Sequence, residues 1–383
     1  MSRTLVVALG AVTAAGAVAV TSLAVLGSSV SSSPDADGWA GWTGRIDSAA
    51  VSDRDAMTPD DAVAVSLLSR SAAASSTVAY SGRAVSTTRA ETTAAEVVHV
   101  PGRGTLVGMV GQPWSAARFA PDGRSGSFAD DGRQLALLRV NYRVLRQADL
   151  DAVVAGRQAD AVVAVDGDGA VAARYWLDRR TSLLLRKELV GPMGSVWSEA
   201  GFRSITFAVP DAAAVPAPAT SLWSEPLDRA GLRAARQAGC ACPDSLPGGF
   251  SLLDSRRAEP GAVAAEPVVH QLFSDGLVSV SLFSLDGAIA AADADGLRAR
   301  GFARTELDGS YAWVRGGTPE SSTATVVWQC QGEVLTLITD DARTPLATAA
   351  TILAALPPVA EEPDGSLAAR VARGWHRLTG GRS

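Results

Sequence analysis

Between Arg174 and Val190 the chain reads RYWLDRRTSLLLRKELV, two runs of strand-forming residues around a short polar break. The pattern predicts strands at Ala170–Leu177 and Leu183–Val190 joined through Asp178–Ser182, because strand formers flank residues that can satisfy turn chemistry. The same texture recurs from Thr77 to Val209. Short runs stand at Thr77–Thr87, Ala94–Val100, Gly104–Val110, Arg118–Ala120, Gln134–Val140, Ala159–Val165, Val196–Ala200 and Phe202–Val209. Turns such as Asp166-Gly167-Asp168-Gly169 punctuate them. Many short strands with regular turn signals predict one large, curved antiparallel sheet. Two helices are expected with it. One starts at Thr58 or Pro59, where Thr58 caps, Pro59 fits the first turn, and Val63, Leu67 and Leu68 form an apolar stripe. The other is a short helical insertion over Asn141–Ala155, with Val144, Leu145, Leu150 and Val154 apolar.

Pro210 to Pro218, PDAAAVPAP, reads as a linker of small residues and proline. Beyond it Leu246-Pro247-Gly248-Gly249-Phe250 opens a second meander, with strands expected at Ser251–Arg257, Val268–Ser274, Leu277–Leu285, Tyr311–Arg315, Ala324–Gln329 and Glu333–Thr339. A helix from Thr344 to Leu356 closes it. Asp275-Gly276 between two apolar strands is the sequence of a tight hairpin turn. The expected division is residues 57–209, a linker over 210–221, and a smaller unit over 222–357.

Both ends of the chain bear on location. Leu5 to Leu26 carries no charge and is long enough to cross a bilayer. Residues 1–27 are therefore expected to be a membrane anchor or a signal peptide, with Arg3 on the cytoplasmic side. Anchoring is the favoured alternative, since only weak small-residue cleavage sites appear around Ser28 to Ser33. In either case the body is exported and extracytoplasmic. Residues 28–56, rich in Ser, Asp, Gly and Ala, read as a linker leaving the membrane. In the last segment, 358–383, Leu367, Val371, Trp375 and Leu378 share a helical face, with arginines on the others. Arg370, Arg373, Trp375 and Arg377 are expected at the membrane surface, as in a basic amphipathic helix.

Composition excludes several function classes. A net charge of -6 and the absence of basic runs in the body argue against nucleic-acid binding. Lys187 is the only lysine among 34 basic residues. The three histidines, His99, His270 and His376, are scattered, and no metalloprotease, nucleophile-elbow or phosphate-loop motif occurs. No catalytic residue, metal site or cofactor is expected. In an oxidising compartment, Cys240, Cys242 and Cys330 become candidates for bridging. Cys240 and Cys242 are awkwardly close for joining each other, so the expected disulfide links Cys330 to Cys240 or Cys242. It would contribute ~2–4 kcal/mol. Three buried free cysteines are the alternative.

Two ordered clusters of residues resemble the MucB/RseB family of extracytoplasmic sigma-factor regulators. The first is Tyr175, Trp176, Leu177 and Asp178, then Thr181, Leu183, Leu184, Leu185 and Arg186. The second comprises Leu246-Pro247-Gly248-Gly249-Phe250, Phe273-Ser274-Asp275-Gly276-Leu277 and the strand Val278–Phe283. Val326-Val327-Trp328 and Val334-Leu335-Thr336-Leu337 follow in matching order. Where the family usually has glycine before the leucines, this chain has Ser182, which must accept a less comfortable backbone conformation.

The resemblance implies an α+β fold: a curved antiparallel half-barrel sheet wrapped around helices, similar to the lipoprotein carriers LolA and LppX, followed by a smaller α+β domain. It also implies a non-enzymatic regulator. Such a protein binds the extracytoplasmic segment of a membrane anti-sigma factor, shields it from proteolysis, and responds to a lipid or lipoprotein signal. On that reading Trp176, Leu183, Leu185, Trp197, Phe202 and Phe207 face lipid acyl chains, and His270, Phe273 and Leu277 contact the partner. The alternative is a lipid or lipoprotein carrier without a signalling partner.

Overall fold

Eighteen strands and five helices are present among the described residues of the structure, a computed structural model. These residues are 59–88, 92–110, 118–120, 133–191, 194–208, 225–258, 267–307, 310–317, 323–330, 332–339 and 345–356. The fold is α+β, and every strand pairing is antiparallel. Helix α1 (Pro59–Thr77) precedes a first sheet built from β1 (Tyr80–Thr88), β2 (Thr92–Val100), β3 (Gly104–Met109), β4 (Arg118–Ala120), β5 (Arg143–Val154), β6 (Arg157–Val165), β7 (Val171–Asp178), β8 (Leu184–Val190) and β9 (Val196–Thr206). Its order is β4-β3-β2-β1-β9-β8-β7-β6-β5. The last strand thus returns to pair with the first, and α1 and α2 (Arg133–Asn141) pack against the sheet through Leu67, Leu68, Leu135 and Leu138.

The opening hairpin forms as its residues dictate, with Trp176 opposite Arg186 and Tyr175 opposite Lys187. Asp178 organises the turn: its Oδ1 accepts from Arg180 N at 3.0 Å, Thr181 N at 2.8 Å and Thr181 Oγ1 at 2.9 Å. Ser182 sits at φ +61, the left-handed backbone that glycine would adopt more easily.

Residues 134–155 correct the sequence expectation. The run expected as a strand at Gln134–Val140 is helix α2, and the run expected as a helical insertion at Asn141–Ala155 is strand β5. Gln134, Leu135 and Leu138 are buried at helical spacing. β5 instead finds a cross-strand partner in β6, with Val144 opposite Ala164 and Leu145 opposite Val163. Pairing to a neighbour overrides local propensity here.

The second sheet comprises β10 (Glu225–Pro226), β11 (Ser245–Leu246), β12 (Phe250–Ala258), β13 (Val268–Ser274), β14 (Ser279–Asp286), β15 (Ala303–Leu307), β16 (Ser310–Gly316), β17 (Ala324–Cys330) and β18 (Glu333–Thr339). Its order is β10-β12-β13-β14-β18-β17-β16-β15, with β11 on β12. Helices α3 (Arg229–Gln237), α4 (Ala291–Ala299) and α5 (Pro345–Ala355) complete it. α4 sets Leu297 against Phe302, Trp313, Val327 and Val334. On the opposite face α5 sets Ala349, Ile352 and Leu353 into the main core beside Ala312, Val314 and Val326. α3 and α4 were not anticipated; RAGLRAARQ and AADADGLRA carry few large apolar residues.

The cysteine expectation is also corrected. Cys240 is bonded to Cys242, and Cys330 is a buried free thiol. The Cα atoms of the bonded pair lie 5.2 Å apart, inside the roughly 4.4–6.8 Å that a disulfide spans. The local fold thus brings the two cysteines within Cα range of each other, where spacing alone disfavours a bridge. Burial, then the neighbouring Glu333 carboxylate, pushes the Cys330 thiol above its ordinary range.

Candidate functional site

Strands β13 and β14 are joined by Asp275–Val278, a longer connection than the two-residue turn expected from Asp-Gly. Its polar atoms are satisfied locally. Asp275 Oδ1 accepts from Leu277 N at 2.8 Å and Val278 N at 2.9 Å, while Ser274 Oγ donates to Val278 O at 2.7 Å. Side-chain oxygens here replace a backbone turn, the ordinary use of Asp and Ser at such positions.

The tip of this hairpin is buried because it docks on the first sheet. Tyr142 Oη donates to Asp275 Oδ2 at 2.5 Å, and Asn141 Nδ2 donates to Asp275 O at 2.8 Å and Gly249 O at 3.3 Å. Lys187 Nζ, on β8, donates to Leu277 O at 3.1 Å. Gly276, at φ +97, lies so close to α2 that a Cβ would stand 2.1 Å from Leu138 N. Leu138, Tyr175, Phe273 and Leu277 belong to one continuous apolar core shared by both sheets. The hairpin that carries the first sequence cluster therefore touches the turn that carries the second, although Lys187 and Leu277 are 90 residues apart.

All three residues expected at a partner surface are buried in this arrangement: His270, Phe273 and Leu277 are 5%, 0% and 2% exposed. His270 stacks on Phe283 with centroids 4.4 Å apart, and its Nε2 lies 3.1 Å from Ser281 Oγ. Burial pushes its pKa down to about 4, against a smaller upward pull from Asp254, so the ring is neutral at pH 7.

The other face of the first sheet holds part of the expected lipid-facing set. Trp176, Leu185 and Phe202 gather with Ala84, Ala95, Val97, Val154, Ala159 and Ala161 in a cluster built only from strand residues and the β5–β6 turn. Helices α1 and α2 pack on the opposite face, against Tyr175 and Leu177. The Arg186 guanidinium lies 4.7 Å from the Trp176 ring centroid. Beside the cluster runs a ladder of charge, buried at Arg174 and Glu188 and half-buried at Arg186 and Glu199. Arg174 pairs with Glu188 at 3.0 Å, and Arg186 pairs with Glu199 at 3.1 Å and also with Glu188. Burial raises the Glu199 carboxyl above its usual range, and the Arg186 charge opposes this. Leu183 is buried at the turn. Trp197 and Phe207 are half-buried outside this cluster: Trp197 Nε1 donates to Ser195 Oγ at 3.0 Å, and the Arg157 guanidinium lies 4.5 Å from the Phe207 centroid.

Sequence reasoning missed Asn141, Tyr142 and Lys187 as docking residues. A signal existed for Lys187 alone, the single lysine in an arginine-rich chain. Arg370, Arg373, Trp375 and Arg377, like residues 1–27, lie outside the described residues. No helix among the described residues is long and apolar enough to cross a membrane. No cluster of three or more potential metal ligands occurs among them either.

No family model and no curated protein matches the chain. Among solved structures, it is similar to MucB in complex with MucA(peri), at 21% identity over 76% of this chain and 96% of that one, TM-score 0.47. The MucA/MucB complex of Pseudomonas aeruginosa gives 20% identity, the same coverage and a TM-score of 0.45. A DUF1329 family protein from Desulfovibrio piger gives 11% identity over 40% of this chain and 95% of that one, TM-score 0.19. Scores in this range carry no argument about what the chain binds.

Proposed function

We propose that the chain is a non-enzymatic extracytoplasmic regulator. It binds the outer segment of a membrane anti-sigma factor, shields that segment from proteolysis, and releases it in response to a lipid or lipoprotein signal. The observation that carries this reading is the contact between Lys187 and Leu277. It ties the hairpin that carries the first MucB/RseB-like cluster to the turn that carries the second, and Tyr175 and Leu177 share one apolar core with Phe273 and Leu277.

In this proposal residues 57–209 and 222–357 are the two working units, and docking of the hairpin is the element on which ligands act. Undocking would expose Phe273 and Leu277. A lipid that favours one arrangement must weaken or strengthen the partner by the same coupling free energy. Residues 5–26 hold the chain at the membrane or are removed by cleavage, and Arg370, Arg373, Trp375 and Arg377 meet the membrane surface.

The test is a protection assay in membranes. Full-length chain should be captured with a single-span membrane protein, and its presence should slow cleavage of that protein's outer segment. Acyl-chain lipid should restore cleavage. Unchanged cleavage with the chain bound would overturn the shielding role. The apolar cluster around Trp176 supports the second reading, a lipid carrier, for which the captured material would be lipid alone.

A further inference from the structure

The second sheet ends at β15, which among the described residues pairs with β16 alone. Arg304 lies opposite Trp313 and Glu306 opposite Tyr311, so these four side chains share one face, while Leu307, Ala312 and Val314 turn into the core on the other. α4 packs on the first face through Leu297 against Trp313, Val327 and Val334, with Arg298 in its last turn and Arg300 capping its C-terminal end.

The result is a basic and aromatic surface on an acidic protein. The guanidinium of Arg298 lies 5.1 Å from the Trp313 centroid, that of Arg304 5.0 Å from Tyr311, and that of Arg315 4.9 Å from Phe302. Tyr311 is 54% exposed. Among the described residues, two acids share the region. Asp295 pairs with Arg298 at 2.6 Å, and Glu306 accepts from Tyr311 Oη at 3.3 Å. Burial, and then the charge of Arg300, holds Arg315 below the ordinary arginine range, which places two like charges side by side. Among the described residues, four arginines against two carboxylates leave local positive charge on a chain of net charge -6.

We infer that the β15 edge is a docking site for an extended acidic peptide segment of a protein partner, added as a further strand. Backbone groups along the edge supply the main-chain hydrogen bonds. In an added strand, alternate side chains fall on the arginine face at a spacing of roughly 7 Å, which matches the alternate residues of β15 and β16. Guanidinium groups already stacked on rings are held in place, so little order is lost on binding. Charge complementarity selects a carboxylate-rich strand and disfavours a second copy of this acidic chain. The inference does not rest on the regulator reading, since this edge is remote in the strand order from the docked hairpin.

The test is fluorescence anisotropy of the full chain with a labelled peptide of alternating glutamate and threonine. Saturable binding that weakens with salt is expected, with none for the lysine-for-glutamate peptide. The double variant Arg300→Glu/Arg304→Glu, on exposed side chains, should weaken binding by at least roughly tenfold. Arg70→Glu, on α1, should not. Peptide N-methylated at alternate residues should bind far more weakly, because it cannot complete the strand ladder. Equal binding by the arginine variant or by the N-methylated peptide would overturn the proposal. Two further outcomes would do so as well: arginine-dependent binding to phosphatidylglycerol vesicles in place of peptide, and peptide binding seen only after removal of residues 358–383.

Discussion

In the first sheet, β7, β8 and β9 carry Arg174, Arg186, Glu188 and Glu199 on a face that no described helix covers. In the second sheet, β17 and β18 lie between α4 and α5 and are buried almost end to end, largely by apolar residues. The contrast shows two ways of closing over a sheet. A strand covered on both faces by helices reads as a near-continuous apolar run. A face without such a helix is closed by long arginine stems lying over small residues and tryptophan, with their charges paired. The second way makes the face sensitive to loss of either partner, because a buried charge left alone is costly.

Joining the sheets is where the largest effect is expected. Gly276→Val places a branched side chain at positive φ against the Leu138 backbone. It should cost upwards of about 5 kcal/mol or split urea unfolding into two transitions. A single unshifted transition would show that the sheets do not depend on this contact. Next, Arg174→Ala should destabilise by about 1.5–3 kcal/mol, since buried Glu188 loses one of its two arginine partners and keeps Arg186. The apolar pair Arg174→Met/Glu188→Leu should recover most of that loss; failure to recover would mean the ladder does more than close the face.

Acid should loosen the two sheets in sequence. His270, in the second sheet, has its folded pKa lowered to about 4. The unfolded chain therefore binds the proton first. Its stabilisation is complete above about pH 6.5 and is lost as pH falls toward 4, by about 3 kcal/mol in total. His270→Gln should flatten that slope in pH-dependent urea unfolding. Asp178, in the first sheet, is lowered overall: burial raises its pKa, and the Arg157 and Thr181 hydrogen bonds more than offset this. Its contribution is present above the ordinary carboxylate range and is lost only as pH falls through its lowered folded value. Asp178→Asn should remove that later phase and leave the His270 phase intact.

Smaller effects sharpen the comparison. Lys187→Met removes the hydrogen bond to Leu277 O while keeping most of the stem over Tyr175. It should cost about 1.5–3 kcal/mol, the range for a bond to a charged donor. Ser182→Gly relieves positive φ in the first hairpin and should stabilise by about 0.5–1 kcal/mol, the left-handed strain less glycine's added chain entropy. A loss on that substitution would mean the serine side chain holds the turn.

Much of the fold was legible in the sequence because its determinants are local. The Tyr175–Leu189 hairpin, its Asp178 turn and the strain at Ser182 follow from residue type and spacing within a few positions. So do the α1 helix and the strands from β12 to β14. The α2–β5 region was not legible, because only the presence of β6 makes Arg143–Val154 a strand. Cysteine pairing likewise depends on how the loop after α3 folds back. The candidate site was legible only in its parts. Sequence marked Trp176, Leu185 and Phe202, and His270, Phe273 and Leu277, as two separate groups. Tertiary structure put α1 and α2 on the face opposite the first group and buried the second within the docked hairpin. The sequence by itself thus determined the strands, the turns and the two clusters, which rest on contacts between near neighbours. Only the tertiary structure decided that the two hairpins meet, since the bond from Lys187 to Leu277 exists only once both sheets share one core.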